Sequence, residues 1–98
     1  ITSDHLIYPR HLKSVYPDSP DGLPPWQPET AWPDAWVLTG AMAAVTTNLR
    51  FSNAVYIAPA RPLLEVAKQV ATAATLSGGR VSLAAGVGWM REEYALMG

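Results

Sequence analysis

The sequence contains no cysteine and no surplus of basic residues. Without cysteine there is no disulfide, no thiolate nucleophile and no Cys-based zinc site, and we predict no metal site. Seven Lys and Arg residues stand against eight Asp and Glu residues, which gives a net charge of −1. Because this balance leaves no basic patch to neutralise phosphates, we expect no nucleic-acid partner. The absence of cysteine fits a reducing compartment, and we expect a cytoplasmic protein.

Long apolar runs are also lacking. Runs such as Ala41–Val45 are far shorter than the roughly 20 residues that cross a bilayer, so we expect no membrane partner. With 49% hydrophobic and 15% charged residues, the chain is too apolar for intrinsic disorder. Its length suits one domain or part of one. The chain begins at Ile1 and enters Asp4-His5 after three residues, which we interpret as a piece of a longer polypeptide.

Proline is plentiful but unevenly placed, with seven of the nine prolines in the first 33 residues. Proline fixes φ and removes a backbone donor, so Tyr8–Pro33 is predicted to be a long loop. Loops of this length are usually functional or disordered. Trp26 and Trp32 favour an ordered loop, because large aromatic side chains usually pack on something. We expect packing on the domain's own core, with a ligand or a partner chain as the alternatives.

Helical and extended patterns alternate after the loop. The predicted elements are a helix from Asp34 to about Thr47, a strand at Leu49–Ile57, a helix from Pro62 to about Leu76, a strand at Arg80–Ala85 and a helix from near Met90. This alternation predicts an α/β fold with a parallel sheet. Three strands with helices on one side leave two bare edges. This supports the fragment interpretation and predicts a homo-oligomer, such as a dimer.

Several short motifs stand in a fixed order along the chain. They are Ser3-Asp4-His5-Leu6, Ala43–Thr46, Leu49–Phe51, Leu76–Val81, Gly86–Trp89 and Glu93-Tyr94. In this order and spacing they resemble the luciferase-like monooxygenase superfamily, most closely its branch that uses the deazaflavin coenzyme F420. The resemblance implies a partial (β/α)8 TIM barrel of about three βα units, with residues 1–98 as the N-terminal part of a single domain. Active sites of such barrels lie at the C-terminal ends of the strands.

The pair Asp4-His5 follows the first of these strand ends. Histidine takes up and releases a proton near neutral pH, so His5 can remove a proton from a substrate hydroxyl as a hydride leaves. The resemblance implies that His5, with Asp4 beside it, is catalytic or contacts the cofactor directly. The alternatives are that His5 only forms hydrogen bonds at the barrel mouth and that Asp4 only caps the loop. His11 is expected to be a solvated bystander.

The other two strand ends supply the candidate cofactor-binding residues, which are Asn53, Ala54, Val55, Val87, Gly88 and Trp89. The resemblance implies a non-proline cis peptide bond at Ala54-Val55 behind the cofactor ring; the alternative is a plain buried strand. The glycines of Gly86-Val87-Gly88 let the backbone approach a ligand closely. Related sugar-phosphate dehydrogenases carry a glutamate at the position of Trp89. The tryptophan therefore argues against their reaction and indicates an apolar pocket wall.

The remaining charged side chains are expected to have structural roles. Glu92 and Glu93 stand at a helix start, where acidic groups favour the helix dipole. The basic residues are predicted to be solvated or strand-end charges, and they are Arg61, Lys68, Arg80 and Arg91.

Three functions follow from the resemblance. The first is an oxidoreductase that transfers a hydride between F420 and a small organic substrate, for which the tryptophans indicate an apolar or aromatic molecule. The second is an FMN-dependent monooxygenase of the same family, which these residues do not separate from the first. The third is a truncated, non-catalytic barrel fragment that self-associates.

Overall fold

The computed structural model describes all 98 residues, and in it two helices pack beside a short parallel sheet. The elements are α1 (Ala35–Ala44), β1 (Tyr56–Ile57), a 3-10 turn (Ala58–Ala60), α2 (Leu63–Leu76), β2 (Ala85–Gly86) and α3 (Arg91–Met97). Residues 3–34 form one long segment without helix or strand. No helix is long and apolar enough to cross a lipid bilayer.

Three extended segments run in parallel. Strands β1 and β2 pair with Tyr56 opposite Ala85. Upstream of this pair, isolated parallel bridges join Thr2 to Asn53 and Phe51 to Val81. The segment around residues 51–57 is therefore central, with the start of the chain on one side and residues 81–86 on the other. The predicted α/β alternation with parallel pairing is confirmed.

Both strands are shorter than predicted. Regular pairing covers only the last two residues of the predicted Leu49–Ile57 strand, and β2 overlaps the predicted Arg80–Ala85 strand at one residue. The reason lies in the register of the central segment. Phe51 bridges to Val81, whereas Tyr56 pairs with Ala85, so the central segment has one residue more than the third segment over this stretch. An extra residue of this kind interrupts the ladder, and no continuous pairing forms upstream of β1.

Helix α1 begins after Asp34, as predicted. The Asp34 carboxylate accepts hydrogen bonds from the backbone N–H groups of Trp36 at 2.9 Å and Val37 at 2.8 Å, which satisfies two of the free donors of the first turn. The helix ends at Ala44 rather than near Thr47. The Thr46 hydroxyl donates to the Met42 carbonyl at 2.7 Å and so competes with the backbone bonds that would extend the helix.

Arg80 ties the end of α1 to the segment that follows it. Its guanidinium donates to the carbonyls of Ala43 and Thr46 at 3.0 Å each and to that of Leu49 at 2.8 Å. It also lies 5.5 Å from the centre of the Phe51 ring. Arg80 therefore stands at the start of the third extended segment, as predicted, but its side chain is bonded within the fold rather than solvated. The last carbonyls of a helix need donors, and this side chain supplies one to Ala43.

Helix α2 follows Pro62 and ends at Leu76, within one residue of its predicted bounds. Gly78 and Gly79, with φ of +63° and +80°, end it in the left-handed conformation that glycine tolerates. The core lies between α1, α2 and the sheet. Its members are Ala35, Trp36, Tyr56, Ala58, Val66 and Ala73.

Candidate functional site

His5 lies among aromatic rings at one end of the sheet. The centre of its ring is 5.5 Å from that of Trp26, 5.7 Å from that of Trp32 and 5.6 Å from that of Trp89. Trp26 and Trp32 also contact each other, with ring centres 4.8 Å apart. These two tryptophans of the long loop were expected to pack on the core. The structure instead places them over His5, because the loop folds back across this end of the sheet.

A cleft of about 360 Å³ opens beside these rings, within the size range of small-molecule sites. It brings together six of the eight predicted site residues, namely Asp4, His5, Ala54, Val55, Gly88 and Trp89. Tyr16 and Asp18 from the long loop also line it, and sequence reasoning did not single them out. The loop therefore contributes to the same cleft as the three strand ends.

Asn53 and Val87 do not line this cleft. The Asn53 amide donates to the Thr2 hydroxyl at 2.9 Å, while its side-chain oxygen is buried without a partner. Val87 is exposed, and its carbonyl accepts a hydrogen bond from the Tyr94 hydroxyl at 2.6 Å. Asn53 thus ties the first two extended segments together, and cofactor contact by either residue stays a prediction.

Asp4 is held by Arg61 in a two-bonded ion pair. The guanidinium donates to both carboxylate oxygens at 2.7 Å, and the Ile57 backbone N–H donates to one of them at 2.8 Å. Since Asp4 is only 5% exposed, its charge needs such a partner. The prediction of a solvated or strand-end charge is wrong for Arg61. The geometry favours an anchoring role for Asp4 over proton transfer, since both oxygens are already bonded.

Burial and the ion pair act in opposite directions on the guanidinium. Burial lowers the pKa of Arg61, but the hydrogen bonds and negative charge of Asp4 outweigh it, so the pKa lies above its usual value. Arg61 is therefore protonated at neutral pH.

Glu93 contacts the segment that carries His5. One carboxylate oxygen lies 3.0 Å from His5 Nδ1, and the other accepts a hydrogen bond from the Leu6 backbone N–H at 2.6 Å. The side chain is almost completely buried. The prediction that Glu93 only favours a helix dipole is therefore incomplete. No local signal reveals this contact, because the two residues lie 88 positions apart.

Glu92 binds the first half of the long loop. Its carboxylate accepts from the Ser14 hydroxyl at 2.7 Å and from the backbone N–H groups of Lys13 at 2.6 Å and Ser14 at 3.0 Å. The Ser14 hydroxyl bond, followed by the Lys13 backbone bond, lowers the pKa of Glu92 from 4.5 to about 2. Glu92 and Glu93 thus join the first turn of α3 to residues 5–14, a contact that the dipole interpretation missed.

The peptide bond between Ala54 and Val55 is cis, as the resemblance implied. Across from it, a Cβ atom at Gly86 would overlap the Val55 side chain. Gly88 has a φ of +70°, and a Cβ atom there would lie 3.0 Å from Ile57 Cδ1. Glycine is therefore required at both positions to leave room for Val55 and Ile57 of the central segment. The prediction considered only the close approach of a ligand.

The walls of the cleft suit the flat ring of a cofactor but not its phosphate groups. Ala54 and Val55 are small and apolar, and Trp32 has a buried indole N–H without an acceptor, which an oxygen or nitrogen of a bound ring can satisfy. No lysine or arginine lines the cleft. The lining residues therefore fit the ring of a flavin or deazaflavin and offer no cationic partner to its phosphate groups.

Sequence comparisons relate the chain to known proteins. The profile of the luciferase-like monooxygenases matches residues 21–98. The chain is similar to two uncharacterized proteins of Mycobacterium tuberculosis strain H37Rv. Identity to Rv0940c is 42% over 95 residues, which is 97% of this chain and 33% of that protein. Identity to Rv0953c is 33% over 90 residues, which is 92% of this chain and 32% of that protein.

The chain thus spans about a third of the length of the curated relatives it matches. No solved structure matches it.

Proposed function

Because the chain belongs to the luciferase-like monooxygenase family, we propose that it is part of a TIM-barrel oxidoreductase that transfers a hydride between F420 and an organic substrate. The observation that carries the proposal is the position of His5. It lines a ligand-sized cleft, is surrounded by three tryptophans and has one ring nitrogen bound to a buried carboxylate. Such an environment suits a histidine that exchanges a proton with a substrate.

The proposed barrel is supported by three parallel segments with helices between them. Asp4-His5 follows the bridge at Thr2, and Gly88-Trp89 follows β2. These residues therefore occupy the C-terminal ends of parallel segments, where barrel enzymes have their active sites. In this proposal the chain supplies the N-terminal third of the barrel.

In the proposed mechanism, a bound deazaflavin supplies the acceptor for a hydride. Oxidation of an alcohol removes a hydride from carbon and a proton from oxygen and leaves a carbonyl. His5 takes the proton from the hydroxyl and gives it back in the reverse reaction. Asp4, held by Arg61, fixes the backbone beside His5. The tryptophan rings keep water away from the site and provide an apolar wall for the proposed small-molecule substrate.

The family is also named for its monooxygenases, so FMN with oxygen is the alternative cofactor system. The apolar walls of the cleft suit either ring system. A non-catalytic chain that self-associates is the other alternative, which the exposed apolar side chains favour.

The test is an equilibrium titration of the purified protein with F420 and, separately, with FMN. Quenching of tryptophan fluorescence reports binding, because three indoles surround His5 at the cleft. We expect F420 to bind more tightly than FMN. A Trp32→Phe variant keeps an aromatic ring, although a smaller one, and loses the unpartnered indole N–H, and we expect it to bind F420 more weakly. Tighter binding of FMN would favour the monooxygenase, and binding of neither would contradict both enzyme proposals.

A further inference from the structure

We propose that Glu93 is a positioning residue that holds His5 in the tautomer with the proton on Nδ1. Nε2 is then the nitrogen that exchanges a proton with the substrate. The inference rests on the proposed function, in which His5 takes the substrate proton, and it gives Glu93 a role beyond the helix dipole that the sequence indicated. Glu93 acts through His5 and needs no contact with the reacting atoms.

The two oxygens of Glu93 have different donors. Oε1 accepts the Leu6 backbone N–H at 2.6 Å, and Oε2 lies 3.0 Å from His5 Nδ1. An ionised carboxylate can only accept hydrogen bonds, so the contact requires a hydrogen on Nδ1. With Nδ1 protonated, the neutral ring has its lone pair on Nε2.

Packing holds the ring in this orientation. The ring centres of Trp26, Trp32 and Trp89 lie 5.5 to 5.7 Å from that of His5, and only a tenth of the His5 side chain is exposed. A flip that exchanges the two nitrogens would break the bond to Glu93 inside this aromatic box. Glu93 also fixes the backbone next to His5 through Leu6. One buried side chain therefore sets both the protonation site of the ring and the position of its backbone.

Replacing Glu93 with glutamine changes the hydrogen bond to His5 and leaves the packing of the side chain almost unchanged. Its amide has almost the same shape as the carboxylate but only one acceptor oxygen. If that oxygen keeps the Leu6 N–H, the amide NH₂ faces His5 Nδ1 and donates to it. The imidazole must then carry its hydrogen on Nε2, where it can no longer accept a proton from the substrate. Glu93→Gln is therefore expected to invert the tautomer with little change in geometry.

The experiment is ¹⁵N NMR of the purified protein with labelled histidine, read at the alkaline end of a titration and without cofactor. The chain has only two histidines, and the exposed His11 provides an internal comparison. We expect wild-type His5 to carry its proton on Nδ1 and the Glu93→Gln variant to carry it on Nε2. The matched control is Glu65→Gln, since Glu65 is exposed in the first turn of α2, and we expect it to keep the wild-type tautomer.

Hydride transfer from an alcohol to F420 is the second readout. We expect Glu93→Gln to lower its rate by about 100- to 10,000-fold, the range that a positioned acid–base group contributes. A wild-type His5 with its proton on Nε2 would overturn the positioning proposal even if the variant does not fold. An unchanged tautomer in a folded Glu93→Gln variant would also overturn it. Wild-type protein could also show the Nδ1–H tautomer and transfer no hydride. That result would refute the proposed function and, with it, the catalytic role of the His5–Glu93 pair.

Discussion

At the scale of single residues, the site depends on contacts between positions that are far apart in the sequence. Asp4 and Arg61 are 57 positions apart, and the guanidinium donates to both carboxylate oxygens at 2.7 Å. Arg61 also donates to the Ile57 carbonyl at 3.2 Å and lies 4.6 Å from the centre of the Tyr56 ring. The pair therefore joins the segment before His5 to the end of β1. Removing either charge leaves the other buried without its counter-ion.

The Arg61→Ala variant tests this ion pair. Because it leaves the buried Asp4 carboxylate without its guanidinium, we expect the free energy of unfolding to fall by about 3–5 kcal/mol. Chemical denaturation followed by circular dichroism measures the change. The control is Arg10→Ala, which removes an exposed arginine and is expected to stay within about 0.5 kcal/mol of wild type. Equal effects of the two substitutions would show that the pair contributes nothing specific.

Residues at the strand ends could be placed from the sequence, and their polar partners could not. His5, Gly88 and Trp89 were predicted at one mouth because the family resemblance implies a barrel, and barrel enzymes have their active sites at the C-terminal ends of the strands. Glu93 and Arg61 looked like ordinary helix-start and solvated charges, because local sequence does not encode which distant group a carboxylate or guanidinium will meet. Their roles emerge only when the chain is folded.

At the scale of elements, the first turn of α3 holds the long loop in place. Glu92 accepts three hydrogen bonds from Lys13 and Ser14, and the Arg91 backbone N–H donates to the Ser14 hydroxyl at 3.0 Å. The loop in turn supplies Trp26 and Trp32 to the cleft. The docking of this loop on α3 therefore shapes the cleft from a distance.

Docking of the loop is expected to weaken in acid. The pKa of Glu92 falls from 4.5 to about 2 when its carboxylate accepts bonds from Ser14 and Lys13. Because the folded-state value is the lower one, the stabilising contribution is present above pH 4.5 and is lost as the pH falls toward 2. Tryptophan fluorescence of the loop, measured between pH 6 and pH 2, reports the change.

The Glu92→Gln variant is the comparison for that titration. We expect it to lack the part of the fluorescence change between about pH 4.5 and pH 2 that Glu92 causes. Glu29→Gln, which changes an exposed carboxyl of the same loop, should keep the wild-type curve. Identical curves for all three proteins would show that Glu92 does not control docking.

Helices were more predictable than strands for a physical reason. The start of α1 and both ends of α2 are encoded locally by Asp34, Pro62 and the Gly78-Gly79 pair. Strand lengths depend on which distant segment supplies each hydrogen bond. The central segment has one residue more than the third segment between the Phe51–Val81 bridge and the Tyr56–Ala85 pair, and the local pattern of residues does not fix that register.

At the scale of the whole molecule, much apolar surface faces outward. Only 17 of the 98 residues are buried, while 15 large hydrophobic side chains are exposed, including Leu63, Leu64 and Leu76 of α2. The first and third extended segments each pair on one side, with the central segment. Surfaces of this kind favour association with further protein.

The 98-residue chain on its own is therefore expected to self-associate. Sedimentation velocity over a range of concentrations should show species larger than the 10.6 kDa monomer. A Leu63→Glu/Leu64→Glu double variant adds charge to exposed positions of α2 and should shift the distribution toward the monomer. A wild-type chain that stays monomeric at every concentration would contradict this prediction.

The proposal that His5 exchanges a proton with the substrate is tested most directly by a single-turnover measurement of hydride transfer. Loss of the visible absorbance of oxidised F420 is followed after an alcohol is added to wild type, His5→Ala and His11→Ala. His5 lines the cleft, whereas His11 is exposed in the loop. We expect transfer in wild type and in His11→Ala, and a rate at least about 100-fold lower in His5→Ala. Transfer at the wild-type rate in His5→Ala would contradict the catalytic role of His5.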